Sequence, residues 1–372
     1  MTGELRSFRK RRLTPEEGKR AAQRALSTPI RDRRGQESGF SLDDPETLLP
    51  LLESLRQLAE SNLAVVLEES SYLYQFLEKL DTEYPIGLFL LDERQYFLGE
   101  TACLAGRVSR ELSKRQEARR WLDLSEGWFL QTENSSGNMA KVSYQRLALR
   151  TEERDFDAVM ELLPQLIATF EKLGMYEDAL KSRFLQAVIL KETEHFREAA
   201  EAFQSIGEKA AEIQKDNLVA QAYVNRVQIH AVLGESPQAI ALAQEAMPIL
   251  KRFGNRIGLA KLQWGLGHLL RSRRELSGAV EAFRISQKEF ADLQMRADVA
   301  ATHLVIADLL LDNDQEKQAE WEIRQALPII DEYKLVPEGM AAFSLLRESV
   351  RRQKIDRQAL RNLHGYFEEL QG

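Results

Sequence analysis

The sequence predicts an all-α protein, an α-solenoid built from stacked helical hairpins. An alanine recurs along the chain at steps of 40 or 41 residues, and an apolar residue follows each one four positions later. Glycine and proline are sparse, with 20 and 10 among 372 residues, which leaves room for long helices between them. A fixed period of roughly 20–50 residues is typical of proteins that stack one supersecondary unit on the next. The recurring alanines are Ala118, Ala158, Ala199, Ala239, Ala279, Ala319 and Ala359.

Each repeat has room for two helices, A and B, joined by two short turns. The alanine lies on helix B, on the same face as the apolar residue four positions later, and its small side chain lets helix A approach closely. A second position, twelve residues before each alanine, is also mostly small. Arg146 and Arg347 depart from that pattern, so we expect their units to pack differently or to lie near an end. The residues at this position are Gly106, Arg146, Ala187, Val227, Gly267, Ala307 and Arg347.

The pairing of Gly267 with Ala279 and Phe283 resembles the tetratricopeptide repeat (TPR), as do Pro248 and Pro328 nine residues after their alanines. The long period is similar to the long-helix TPR variety of MalT-like and Rap-type bacterial regulators. Over residues 96–372 the resemblance implies a right-handed superhelix of about seven hairpins. HEAT and armadillo repeats have a similar period and are the structural alternative.

The amino-terminal 40 residues are predicted to be a basic, partly flexible segment. Residues 1–34 carry eleven Lys or Arg and four Asp or Glu, and the densest run is Arg9 to Arg12. Such a run is suited to nucleic acid or an acidic partner, although a solvated tail has the same composition. Thr14, Pro15 and Glu17 predict a helix start with a capping box, and this helix should end near Pro29. Residues 31–40 are expected to form a mobile linker.

Residues 41–95 are predicted to form a helical cap, since a solenoid needs its first repeat shielded. Two helices are expected, over about residues 41–60 and 63–80, followed by a turn at residues 84–87 and a buried run at 86–91. The repeat array then occupies residues 96–372. Its last helix, around Ala359, should close the carboxyl end with Phe367 and Leu370.

The sequence contains no strong catalytic motif and predicts neither an enzyme nor a cofactor. A single cysteine, Cys103, precludes an intramolecular disulfide, and we interpret it as a packing thiol. The histidines, among them His230 and His268, are scattered and predict no metal site. The basic start lacks the apolar region of a signal peptide, and no apolar stretch is long enough to cross a membrane. We therefore expect a cytoplasmic protein that does not associate with membranes.

The TPR resemblance implies that helix A of each unit lines a concave binding groove. Asn225 occupies a position where an asparagine of the family often holds a peptide backbone. The neighbouring Arg226 stands where the family prefers leucine, which leaves the local register open. The residues that the resemblance points into the groove are Arg107, Arg110, Tyr144, Arg150, Lys181, Phe184, Lys191, Gln221, Asn225, Gln228, Lys261, Trp264, His268, Arg271 and Asp308.

Many of these groove residues are basic, although the whole chain has a net charge of −7. Arginine and lysine match carboxylates, and Trp264, Phe184 and Tyr144 would supply apolar anchors. The main hypothesis is therefore a non-enzymatic scaffold or regulator for an acidic, partly apolar segment of another cytoplasmic protein. Alternatively, several cations only pair with carboxylates of neighbouring helices. A second functional hypothesis is a nucleic-acid-associated regulator that uses the basic amino terminus.

Overall fold

A computed structural model of the chain describes residues 12–34, 36–83, 91–133 and 135–333, with single positions between 335 and 345. Within these residues the chain forms 16 α-helices and one short 3₁₀ helix, and no strand. The predicted all-α class is therefore confirmed. The helices fall into two compact units, α1–α8 and α9–α16, which divide between Met175 and Tyr176.

The first unit begins with a short amino-terminal region and continues into two helical hairpins. The 3₁₀ helix, Glu37–Phe40, lies between the second and third α-helices. The α-helices are α1 (Pro15–Leu26), α2 (Ile30–Arg33), α3 (Pro45–Leu58), α4 (Leu63–Glu83), α5 (Leu91–Glu111), α6 (Arg115–Phe129), α7 (Ser136–Glu152) and α8 (Phe156–Lys172).

The second unit contains four hairpins of uniform length, in which helices A and B alternate. Odd-numbered helices are A helices and even-numbered helices are B helices. They are α9 (Tyr176–Glu192), α10 (Phe196–Glu212), α11 (Asp216–Val232), α12 (Ser236–Arg252), α13 (Arg256–Ser272), α14 (Leu276–Asp292), α15 (Arg296–Asp312) and α16 (Glu316–Tyr333).

The amino-terminal helix starts where the capping residues predict. The backbone N–H of Glu17 donates to the Thr14 hydroxyl at 3.3 Å, and the Glu17 carboxylate accepts from the Thr14 N–H at 2.8 Å. Pro15 occupies the first helical position, where its missing N–H leaves nothing unsatisfied. The local sequence is thus sufficient to define this helix start.

The expected mobile linker over residues 31–40 contains short helical turns at Ile30–Arg33 and Glu37–Phe40, and one of its residues lies in the core. Arg33 belongs to α2 and is fully buried. Its guanidinium donates to the Glu69 carboxylate and lies 5.2 Å from the centroid of the Tyr72 ring. The polar composition suggested solvent exposure, but a buried arginine with a carboxylate and an aromatic partner is compatible with a core position.

The two cap helices are present, at Pro45–Leu58 and Leu63–Glu83. They do not pack mainly against each other: α3 packs chiefly against α1, and α4 chiefly against α5. The predicted turn at residues 84–87 and buried run at 86–91 lie largely outside the described residues, and so does the carboxyl-terminal cap around Ala359. The three-part division with boundaries near residues 40 and 95 stays a prediction.

The backbone repeats with a strict period of 40 residues from α7 to α16. Each turn from helix A to helix B contains a residue in the left-handed region of the backbone. Each turn from helix B to the next helix A contains one as well, beginning with Gly174 after α8. The N–H three residues past the helix end then reaches back into the last turn, as from Glu275 to the Leu270 carbonyl at 2.9 Å. The left-handed residues are Arg154, Glu194, Gly234, Arg274 and Asp314 in the first set, and Gly174, Gln214, Gly254 and Gln294 in the second.

The structure corrects the repeat register at α8. Val159 and Leu163 are fully buried there, whereas Ala158 is half-buried and Leu162 is 43% exposed. The extra residue therefore lies before α8 rather than after it. Leu147, twelve residues before Val159, is buried in the place that the sequence assigned to Arg146. The two departures from the predicted pattern in this unit thus have one cause, a shift of one residue.

Replacing Ala279 with leucine should destabilise the second unit. Ala279 is fully buried on α14, as are Ala199, Ala239 and Ala319 at the equivalent positions. Overpacking a close helix crossing of this kind costs roughly 1–3 kcal/mol. Ala241→Leu, at an exposed position of α12, is the matched control and should melt as the wild type does. Equal melting of Ala279→Leu and the wild type by circular dichroism would contradict the repeat register.

Candidate partner-binding surface

Two candidate arginines of the first unit are engaged with carboxylates. Arg107 pairs with Glu111 at 2.9 Å and with Glu60 at 3.2 Å. Arg110 pairs with Glu152 of α7 and with Glu111. These ion pairs compensate both guanidinium charges within the unit, and of their nitrogens only the Arg110 Nε is buried without a hydrogen-bond partner among the described residues.

The two other candidates of the first unit lie on α7. Tyr144 is half-buried and lies near Arg110. Arg150 is exposed. Within this unit, therefore, Arg107, Arg110 and Tyr144 form one polar region, and Arg150 remains at the surface.

In the second unit, Lys181 and Phe184 do not form a binding surface with the other candidates. Lys181 pairs with Glu177 of its own helix at 2.7 Å. The Phe184 ring packs edge-on against Phe203, with 4.9 Å between the ring centroids, and so belongs to the α9–α10 core. Phe184 therefore contributes to folding rather than to an exposed anchor.

The remaining α9 and α11 candidates form a compact polar cluster, which we call the Lys191 site: Lys191, Asn225 and Gln228. The Lys191 ammonium donates to the Asn225 Oδ1 at 3.0 Å and to the Gln228 Oε1 at 2.9 Å. Only 18% of its side chain is exposed, and the nearest carboxylate, that of Glu192, is 3.9 Å away. Burial lowers the pKa of Lys191, Glu192 opposes this effect, and Lys261 adds to it. The site thus holds a cation among neutral amides.

Helix α13 extends this surface beside the Lys191 site. The amide of Gln228 approaches the Lys261 carbonyl at 3.4 Å, and a Cβ on Gly265 would lie only 3.1 Å from Val227. The absence of a side chain at Gly265 therefore permits α13 to lie close to α11. Lys261 is exposed and Trp264 is half-buried on the same helix.

Trp264 packs against two neighbouring rings, those of His268 and Phe283. Its ring centroid lies 5.3 Å from that of His268 and 5.4 Å from that of Phe283, both in edge-on contacts. Burial, together with the nearby Arg271 and Lys191 charges, lowers the pKa of His268 to about 4. His268 is therefore neutral at pH 7 and adds no charge to the surface.

The far side of the surface is acidic. Arg271 pairs with Asp308 at 2.6 Å and with Asp312 at 2.9 Å, both on α15. Burial raises the pKa of Asp298 on the same helix, and the Lys261 charge partly offsets this effect. The sequence identified Asp308 but not Asp298 or Asp312, although Asp312 lies one helical turn after Asp308. We call the exposed side of α9, α11, α13 and α15 that carries these groups the A-face.

The structure also shows the surroundings of three other residues that the sequence analysis discussed, Arg226, His230 and Cys103. The Arg226 guanidinium donates to Gln204 of α10, between helices A and B, which accounts for an arginine at a leucine position. His230 contacts Glu235 at the end of its own hairpin turn, 2.6 Å away, rather than His268. Burial raises the pKa of the Cys103 thiol to about 12, so it remains protonated. No group of three or more His, Cys, Asp or Glu in the described residues could hold a metal ion.

Comparison with known proteins agrees with the repeat geometry. Residues 174–326 match the family model for soluble NSF attachment protein, SNAP, which has TPR-like helical repeats. The fold is a TPR-like repeat of helical hairpins. A solved Rap protein complexed with competence and sporulation factor superposes with a TM-score of 0.54, at 16% identity, over 87% of this chain and all of the other.

Two further solved structures have the same TPR-like fold. Apo RapI gives a TM-score of 0.53 at 12% identity, covering 72% of this chain and 93% of its own. Aspartyl phosphate phosphatase F from Bacillus subtilis gives 0.52 at 12% identity, covering 83% and 79%. No curated protein sequence matches the chain significantly. Among the helices of the described residues, none has the length and apolar character needed to cross a membrane.

The protonation of His268 should be detectable at unusually low pH. Its folded-state pKa of about 4 lies below the ordinary value near 6.5, so the unfolded chain takes up a proton first as the pH falls. Stability from the neutral His268 is therefore present above pH ~6.5 and is lost between pH ~6.5 and ~4. We expect its imidazole NMR signal to titrate near pH 4, and His268→Gln identifies that signal by removing it. A midpoint near the ordinary histidine value would contradict the buried position.

Proposed function

We propose that the chain is a non-enzymatic protein-binding scaffold that holds an acidic, partly apolar segment of a partner protein on the A-face. The partner is a cytoplasmic protein, and neither a cofactor nor a metal takes part. The Rap protein complexed with competence and sporulation factor supports the general function, because it is a protein of the same fold in a complex. The acidic character of the partner rests on the residues of this chain.

The Lys191 site carries the proposal. An ammonium group has three N–H donors, and the two amide oxygens accept from it without neutralising its charge. The Glu192 carboxylate, 3.9 Å from the ammonium, is too far away to accept a hydrogen bond from it. Keeping a largely buried charge without a hydrogen-bonded opposite charge is unfavourable. A carboxylate from a partner would supply both an acceptor and the opposite charge, in a charge-assisted hydrogen bond. The site is therefore better suited to an anionic group than to a cationic or apolar one.

Trp264 supplies the apolar part of the proposed contact. Its half-buried ring is fixed by Phe283 and His268, so little side-chain freedom is lost when a partner covers the rest. Aromatic residues held in this way tend to dominate binding energies. The exposed Lys261, on the same helix, adds a second positive charge at the edge of the surface, which mainly raises the association rate.

The structure narrows the set of basic residues that we assign to binding. Arg107, Arg110, Lys181 and Arg271 already pair with carboxylates of the same unit. A partner carboxylate would have to compete with these intramolecular pairs, so such residues contribute less than Lys191. The alternative considered from the sequence, that several cations only pair with neighbouring acids, therefore applies to these four residues.

Peptide selection tests the proposal without requiring the natural partner. A random twelve-residue peptide library is selected on the full chain, and the enriched peptides are titrated by calorimetry. We expect enrichment of Asp or Glu together with an apolar residue. Lys191→Met should weaken these peptides by roughly 10–100-fold, since a hydrogen bond to a charged group contributes about 1.5–3 kcal/mol. Lys209→Met, at an exposed position of α10, is the matched control and should bind as the wild type does.

Two results would contradict the proposal. One is a selected set without acidic residues. The other is equal affinity for the wild type and Lys191→Met, with binding lost instead in variants of the exposed side of the B helices. Circular dichroism of both variants separates a lost contact from a lost fold.

A further inference from the structure

The outward side of α1, together with the segment that follows it, is a basic surface of the first unit. We call it the basic face: Lys19, Arg20, Arg24, Arg31 and Arg34, all exposed. The side chains of Lys19, Arg20 and Arg34 make no ion pair or hydrogen bond within the described residues, whereas Arg31 pairs with Asp32 at 3.6 Å. Most of these positive charges therefore have no carboxylate partner among the residues that the structure describes.

The fold holds this surface in place from the other side. Ala21, Ala22 and Ala25 are buried, and Gly18 lies against the backbone of Glu46 on α3 so closely that a Cβ would not fit. The Arg24 guanidinium donates to the Gly39 carbonyl and lies 5.2 Å from the centroid of the Phe40 ring. Helix α1 is thus packed on α3 through its small residues, and its charged residues face outward.

We propose that the basic face binds the phosphate backbone of a nucleic acid without reading its sequence. Four of its five cations are arginines, whose planar forks match phosphate oxygens. No large apolar side chain is exposed between residues 12 and 40 among those described, so the face lacks the anchors of a membrane-binding helix or a protein hot spot. The interaction that this face can make is therefore electrostatic attraction between its positively charged side chains and a polyanion.

The acidic residues around the basic face limit its strength. Glu17 is engaged in the capping box of α1, Glu16 is exposed beside it, and Asp32 partly offsets Arg31. The whole chain carries a net charge of −7, so attraction is local to this face and falls steeply with salt.

Fluorescence anisotropy with a labelled duplex DNA and a labelled single-stranded RNA, each of about 20 nucleotides per strand, tests the inference on the full chain. If the face neutralises about four phosphates, affinity for the duplex should fall roughly 150-fold between 50 and 200 mM salt. Scrambled sequences should bind equally, because phosphate contacts carry no sequence information.

A charge-matched pair of variants locates the binding. The first is a triple variant of the basic face, which combines Lys19→Glu, Arg20→Glu and Arg31→Glu. Its affinity at 50 mM salt should fall at least tenfold, and most of the salt dependence should be lost. The second is a control triple variant, which combines Lys209→Glu, Lys251→Glu and Lys288→Glu at exposed positions of the second unit and changes the net charge equally. Its affinity should stay within about twofold of that of the wild type. Both variants should keep the wild-type circular dichroism spectrum.

Three outcomes would overturn the inference. The first is the absence of binding to either probe at 50 mM salt. The second is an equal loss in both triple variants, which would assign the effect to net charge rather than to this face. The third is retention on vesicles containing phosphatidylserine with no binding to either nucleic acid, which would make the face a membrane contact.

Discussion

The close crossing of helices A and B at small residues is the constraint on which the rest of the structure depends. Ala199, Ala239, Ala279 and Ala319 are completely buried. On the facing helix, a Cβ added to Gly267 would lie 2.7 Å from the Phe283 ring, so the aromatic side chain fills the space that glycine leaves. Small and large residues thus interlock across the α13–α14 hairpin, and a larger residue at either small position would force the helices apart.

A similar close approach between successive A helices determines what the A-face can bind. Because Gly265 lets α13 lie against Val227, Gln228 reaches the Lys261 carbonyl, and its other amide atom accepts from Lys191. Three helices of successive repeats therefore share one hydrogen-bonded layer. Its cation is placed by backbone packing rather than by a flexible loop, which favours a preorganised contact with an incoming carboxylate.

Much of the fold was predictable because the repeat is a local pattern. The alanine spacing identified the hairpins, and the residues from Thr14 to Glu17 identified the start of α1. The register at α8 was not predictable, since Leu162 and Leu163 are both leucines and either fits a helical face. The strict 40-residue recurrence of left-handed turn residues, from Arg154 to Asp314, decides it, and that is a property of the backbone.

The binding surface was less predictable, because charge pairing joins residues of different repeats. Arg271 meets Asp308 across 37 positions of sequence, and Arg110 meets Glu152 across 42. A helical pattern assigns a face to each of these residues but does not identify its partner in the next repeat. The sequence therefore selected Lys191 and Arg271 alike, and only their surroundings distinguish an amide-bound cation from one shared by two aspartates.

Fluorine NMR of the chain labelled with 5-fluorotryptophan tests the assignment of the A-face most directly. The chain has 4 tryptophans. Trp264 lies on the A-face beside the Lys191 site, whereas Trp321 lies on helix B and is 52% exposed. Trp264→Phe and Trp321→Phe assign the two signals. On addition of a selected acidic peptide, we predict that the Trp264 signal shifts and the Trp321 signal does not. A shift of Trp321 with Trp264 unchanged would place the partner on the B helices and contradict the account.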